Sequence, residues 1–487
     1  MRTSIPRFST KRTPPAGRAF RSALVLAGGA GLGAAVVVAC SPVLSRLYDP
    51  EAFGTLAIFV SLVSLLTTVG AWRYEVAVPL PDREEDAANL VAAGLLIVAV
   101  MGAAVCLAVA LFGRWIVDWL KCPRLEPYLW LIPVAFVAGS AYQVLSAWAL
   151  RHEAFEIIAR TRVAQNCGMV GAQIAVGATG LGALGLLAGE TFGRTTGVLM
   201  LARFASRNLA YQAVSVPCMT AALRRYVKFP ILSSPASLLT SLSTHLPVLL
   251  LVRFFGPAAG GLFVLTTRVL GMPAAMLGQA VGQMLLARAA RAKNDEAQIR
   301  HLTHCTATGM FAAGVVVIGI VALGGPALFG TAFGDRWRDA GLYARILAPW
   351  YLLWLVCNPL SNLLNVREWQ GTTLLFSLLE CTVQVGAIVV GARIGSALSA
   401  VGLLGAAAFL LALLTMERFF RAGYTSWRGV MRIVARPVAA AMLSLIPLLW
   451  LVSGTGLPQT SARIGMFLGV CATLEWRYRI LRQALRA

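Results

Sequence analysis

Arg46-Leu47-Tyr48-Asp49-Pro50-Glu51-Ala52-Phe53-Gly54 lies between two long apolar runs, and its pattern returns as Arg253-Phe254-Phe255-Gly256-Pro257-Ala258-Ala259-Gly260-Gly261. Arg46 falls in register with Arg253, Tyr48 with Phe255, Pro50 with Pro257 and Gly54 with Gly261. Each copy follows one apolar span and precedes another. An internal repeat in such a chain implies two homologous helical bundles, an arrangement common among transporters. The repeat therefore points to movement of a solute across a bilayer.

The rest of the chain agrees. Of 487 residues, 58% are hydrophobic and only 13% charged, against about 25% charged in soluble domains. Runs such as 22–45, 87–113, 127–150 and 229–252 carry no charge. Each can cross a hydrocarbon core about 30 Å thick, which takes about 20 helical residues. Strands of a closed barrel alternate in polarity, and these runs do not, so helices remain. We expect fourteen spans, near 22–44, 54–78, 88–112, 127–150, 162–180, 183–202, 230–252, 261–286, 302–323, 342–364, 371–391, 396–416, 436–453 and 461–475. The expected fold is an all-α polytopic membrane protein of two pseudo-symmetric six-helix bundles around a central cavity, plus two further C-terminal helices.

A net charge of +22 could suggest nucleic acid, but its placement argues otherwise. With the N-terminus in the cytoplasm, most of the 42 lysines and arginines fall on the cytoplasmic side. That is the positive-inside rule, and it puts both termini there. The expected organisation is a basic cytoplasmic tail (1–21), an N-lobe of six helices (22–203), a cytoplasmic linker (204–229), a C-lobe of six helices (230–420), and two added helices with a basic tail (421–487). The run after the tail is too long for a signal peptide and reads as a retained helix. Nine scattered cysteines imply no disulfide framework. Neither a cofactor nor a metal site is expected; His301, His304 and Cys305 have only a loose metal-like spacing.

Three blocks carry a family resemblance. Ser45–Gly54 is similar to an S-R-x-[YF]-x-P-E-x-F-G segment, Arg73-Tyr74-Glu75-Val76-Ala77 to an R-Y-E-x-A segment, and Arg225-Tyr226-Val227-Lys228-Phe229-Pro230 to a [RK]-Y-x-x-F-P run. In this order they resemble the polysaccharide flippases, the Wzx-like branch of the multidrug/oligosaccharidyl-lipid/polysaccharide exporter superfamily. The resemblance covers about residues 20–420. It implies a cationic cavity, alternating access, and an undecaprenyl-diphosphate-linked glycan carried between leaflets. It also implies membrane lipids, a polysaccharide polymerase and a chain-length regulator as partners. The two added helices resemble those that form a lipid groove in lipid II flippases.

Ionisable side chains at the middle of a span cost about 2.5–3.5 kcal/mol on insertion scales and so need a reason. Arg73, Arg194 and Arg268 are the candidates for a diphosphate, because a guanidinium bonds phosphate oxygens in pairs and stays charged. Arg73 could instead snorkel to the interface. Glu190 and Arg194 stand four apart on one helix face, which leaves mutual neutralisation open. Glu190, Glu380 and His245 are the candidates for ion coupling; for Glu380 and His245 plain helix–helix hydrogen bonding is the alternative. Gly28, Gly29, Gly31 and Gly33 permit close helix approach, and Pro235, Pro247 and Pro273 favour kinks.

A membrane polymerase, ligase or glycosyltransferase would need a catalytic loop or domain outside the lipid, and the loops here are short. A drug or small-cation exporter of the same superfamily is the other alternative, favoured by buried carboxylates over buried arginines. The spans hold both.

Overall fold

The computed structural model describes residues 16–208, 214–292, 295–367 and 369–426, with the single positions 428 and 435. The expected spans 436–453 and 461–475, the C-terminal tail and most of the N-terminal tail lie outside the described residues. Among those described, every regular element is helical: α1 (Ala16–Leu47), α2 (Pro50–Thr68), α3 (Glu84–Leu120), α4 (Leu131–Arg151), α5 (Phe155–Gly177), α6 (Ala183–Asn208), a short α7 (Val216–Arg225), α8 (Ser234–Phe255), α9 (Pro257–Arg291), α10 (Glu296–Phe333), α11 (Arg338–Leu360), a short α12 (Asn362–Val366), α13 (Gln370–Ile394) and α14 (Ala397–Ala422).

The twelve long helices among these form two lobes with one packing scheme. In the first lobe α3 packs on α4, α5 on α6, α1 on α5, α4 on α6 and α2 on α4. In the second, α10 packs on α11, α13 on α14, α8 on α13, α11 on α14 and α9 on α11. Substituting the first helix of each lobe for the other, and so on in chain order, converts one set into the other. The duplication expected from Arg46–Gly54 and Arg253–Gly261 is thus a duplication of architecture.

The repeat also starts the equivalent helices α2 and α9. Asp49 caps α2 by accepting a 2.7 Å hydrogen bond from the Ala52 amide, and Pro50 occupies the first turn. Gly256, at φ +87°, precedes Pro257 in the same role for α9. Proline suits the first helical turn, where no amide partner is needed. The two starts then meet. A Cβ built on Gly54 would run into the carbonyl of Pro257, and one on Gly261 into the carbonyl of Pro50. These contacts are reciprocal, as expected around a two-fold axis, and they join the lobes along the α2–α9 seam.

Other side chains fasten the same end. Trp337, wholly buried, donates from Nε1 to the Ser45 carbonyl at 2.9 Å and meets the Phe53 ring edge-to-face at 4.9 Å. Ser45 Oγ donates to the Phe333 carbonyl at 3.0 Å. Outside the helical spans, Arg124 bonds Asp49 at 3.0 Å and Glu51 at 2.8 Å. Its hydrogen bond to Asp49 raises the already high guanidinium pKa.

Nine helices among the described residues are long and apolar enough to cross a membrane, which makes this a multi-pass membrane protein. Helices α5 and α6 are not among the nine. They carry Arg160, Arg162, Gln165, Asn166 and Gln173, and Glu190, Thr191, Arg194 and Thr195. These helices pack on one another, and several of their polar residues face the interior cavities described below.

Candidate functional site

The second span ends earlier than its apolar content suggests. Helix α2 stops at Thr68, and residues 69–79 form turns around a 3-10 segment, Tyr74–Ala77. Trp72 and Arg73 both adopt left-handed backbone, at φ 51° and 62°, which costs roughly 1–2 kcal/mol per non-glycine residue. Close approach of Gly70 to the side chain of Ser140 accompanies the reversal. Arg73 and Glu75 therefore sit on the turn that connects α2 to α3, beyond the end of the helix expected to run through 54–78.

On this turn Arg73 Nη1 lies 3.4 Å from Glu75 Oε1, with the Glu75 side chain only 8% exposed. Burial pushes the Glu75 carboxyl above its ordinary range; its own backbone and Arg73 pull the other way. Arg73 Nε and Glu75 Oε2 are buried without hydrogen-bond partners among the described residues. Both polar ends thus retain bonding capacity.

Arg73 opens onto a cavity of about 730 Å³ inside the first lobe. Its polar wall includes Arg73, Arg162 and Arg194, the amides of Gln143, Gln165 and Asn166, and the carboxylates of Glu75 and Glu190. Arg194 Nε donates to Glu190 Oε1 at 3.0 Å, and both side chains are largely buried. Arg162 lies over the Tyr142 ring, 5.9 Å from its centroid. Close approach of α1 to α5 backs this wall: Gly29 abuts Ala159, and Gly33 abuts Asn166.

A second cavity, of about 680 Å³, lies between the lobes. It contains Arg268, His245 and Glu380, together with Trp350 and Trp354. Arg268 sits over the Phe53 ring at 5.7 Å, and its Nη1 has no hydrogen-bond partner among the described residues. Glu380 Oε1 accepts from Gln384 Nε2 at 3.1 Å. Asn166, Met169 and Glu190 line both cavities, so the two adjoin at Glu190. A smaller recess of about 340 Å³ carries Arg73 and His245 together.

All six candidate residues thus line these adjoining cavities. They do not form a single cluster. Arg73 and Arg194 belong to the first cavity and Arg268 to the second, with Glu190 between. Neutralisation of Arg194 by Glu190 is present, yet the pair still lines the cavity. Sequence reasoning passed over Arg162, Gln165 and Asn166, although their spacing of three and four places them on one face of α5. It also passed over Trp350 and Trp354, whose apolar setting resembles ordinary core.

The chemistry of this arrangement suits an anion, by guanidinium forks, and hydroxylated groups, by amides and hydroxyls. Residues 43–341 match the model of a family described as polysaccharide biosynthesis protein. The chain is 23% identical over 362 residues to lipopolysaccharide biosynthesis protein WzxC of Escherichia coli (strain K12), covering 73% of this chain and 71% of that protein. Among solved structures, lipid II flippase MurJ in an inward closed conformation aligns with a TM-score of 0.70 at 10% identity, over 96% of this chain and 98% of that one. An inward-facing multidrug resistance MATE family transporter aligns with a TM-score of 0.56 at 13% identity, over 86% and 96%. With more than half its length inside the family model, the chain belongs to the polysaccharide biosynthesis protein family, and it carries the fold of the multidrug/oligosaccharidyl-lipid/polysaccharide exporter superfamily.

Proposed function

We propose that the protein flips an undecaprenyl-diphosphate-linked oligosaccharide, a surface polysaccharide repeat unit, from the cytoplasmic to the periplasmic leaflet of a bacterial inner membrane. The observation that carries this reading is the meeting of the two cavities at Glu190, with Arg194 on one side and Arg268 on the other. The diphosphate sits at that junction, drawn from Arg73 toward Arg268. An unpartnered guanidinium nitrogen in a shielded space has a strong reason to bind an anion. Both termini are cytoplasmic, so the Arg73 end faces the cytoplasm and the Pro50–Pro257 end faces the periplasm. Rocking of the lobes about the α2–α9 seam then exchanges access.

Glu190, Glu380 and His245 are the groups through which an ion gradient couples to this motion. Glu190 is the foremost, because a diphosphate bound to Arg194 competes with it and frees its carboxylate. A polysaccharide polymerase and a chain-length regulator act on the product on the far side.

One observation favours a second reading. Glu190 and Glu380 both line the central cavity, and a drug exporter of this fold would use such carboxylates to hold a cation. Deleting the gene and extracting lipid-linked glycans separates the two. Flipping predicts accumulated lipid-linked oligosaccharide and lost surface polysaccharide. Unchanged glycans with raised sensitivity to lipophilic cations would establish the exporter instead. Lipid-linked units accumulating unpolymerised on the outer face would return the polymerase class.

A further inference from the structure

Trp350 and Trp354 stand four residues apart on α11, so they share a helix face, about 6 Å apart along its axis. Both line the central cavity and both are half-buried. Tyr351, almost fully buried, braces them: its ring centroid is 4.8 Å from that of Trp350 and 6.0 Å from that of Trp354, edge-to-face with the latter. Tyr351 is itself seated against Gly271 of α9, where an added Cβ would lie 3.2 Å from its ring. The aromatic surface is therefore held in place before any ligand arrives. Polar groups line the same cavity: Thr240 and Thr244 on α8, and Gln384 on α13, its amide oriented by Glu380.

We propose that this cavity wall is a sugar-binding platform, with Trp350 and Trp354 stacking on pyranose rings of the lipid-linked glycan. A pyranose has apolar C–H faces and an edge of hydroxyls. Indole faces suit the former, and hydroxyls with an oriented amide suit the latter. A lipid tail would have no use for Thr240, Thr244 and Gln384, each of which still has bonding capacity for a hydroxyl. For an organic cation, Arg268 would offset the attraction of Glu190 and Glu380 in the same cavity. The inference rests on the flippase reading and deepens it: diphosphate at the Glu190 junction, sugars against α11. Glycan selectivity then resides in the second lobe and anion capture mainly in the first.

The test compares two probes on the purified full chain in lipid nanodiscs. One is undecaprenyl diphosphate; the other is the lipid-linked oligosaccharide pool extracted from cells lacking the gene. Wild type is expected to bind the pool about 10-fold more tightly than the bare diphosphate, the increment of one or two aromatic contacts. W350L/W354L is expected to erase that increment while still binding undecaprenyl diphosphate, which also reports an intact fold. W350F/W354F is expected to restore most of it. An increment that survives W350L/W354L overturns the platform, and so does a wild type that binds both probes equally; either result leaves the diphosphate reading intact. Tight pool binding with no affinity for undecaprenyl diphosphate, lost in W350L/W354L, supports the platform and removes the diphosphate site. Absence of binding to either probe overturns the flippase reading and the platform with it.

Discussion

Gly54 and Gly261, equivalent positions of the internal repeat, touch one another across the seam between the lobes: a Cβ on Gly261 would lie 2.9 Å from the Gly54 nitrogen. Each also lies against the carbonyl of the proline that starts the other's helix. The obstacle to a side chain is backbone, which cannot swing aside as a long side chain could. We therefore expect G54A and G261A each to destabilise the protein by about 1–3 kcal/mol, the range for overpacking. The double variant should fall short of the sum, because both substitutions part the same contact. Thermal unfolding in detergent measures this; additive losses would show that the two glycines act independently.

Trp337 offers a second view of the same seam. W337F keeps a ring beside Phe53 but removes the donor to the Ser45 carbonyl, which should cost about 1 kcal/mol. W337A leaves a cavity as well and should cost about 3–5 kcal/mol. Equal losses in thermal unfolding would mean that packing contributes nothing beyond the hydrogen bond.

The pair of Glu190 and Arg194 is largely buried, so breaking it should do more than breaking an exposed pair. R194A strands a carboxylate and should destabilise by about 1–3 kcal/mol. E190Q/R194A should recover much of that, because no charge is left behind. By contrast R124A, which removes an exposed clamp on Asp49 and Glu51, should cost less than about 1 kcal/mol. A double-mutant cycle by thermal unfolding provides the comparison. If R194A and E190Q/R194A unfold alike, the carboxylate is not stranded.

Arg268 should trade stability for function. Its Nη1 lacks a partner among the described residues, so an apolar side chain of similar length should fit at no loss. R268M is expected to raise stability by about 1 kcal/mol while lowering surface polysaccharide more than 10-fold in a complementation assay. R268K should restore charge but not the fork, and should recover transport only in part. Membrane levels of the variants, read by immunoblot, separate transport from insertion. Full complementation by R268M would remove Arg268 from the anion site.

Much of the architecture was legible because membrane spans are written in the crudest terms, length and absence of charge. The two-lobed duplication followed from the Arg46–Gly54 repeat. The end of α2 was not legible. Residues 69–79 still carry apolar residues that could extend a span, and the turn is made with Gly70 close to Ser140 and left-handed Trp72 and Arg73. The arginines stood out because charge in lipid demands explanation. Trp350 and Trp354 did not, because an aromatic residue in an apolar run looks the same whether it faces a neighbour or a cavity. Which face of α11 the cavity takes is set by the packing of its other faces on α9, α10 and α14.

The seam and the cavities obey different rules. At Gly54 and Gly261 the two copies must match, since each is the other's template, and a change in one is felt by both. Inside, nothing requires such agreement: guanidinium groups gather mostly in the first half and indole rings in the second. An assembly of two identical subunits could not be so lopsided, because every arginine would have an image among the indole rings. Covalent fusion of the halves into one chain keeps the seam matched while letting the compartment differ from end to end. The proposed cargo, with a charged end and a sugar end, would then fit in one orientation only.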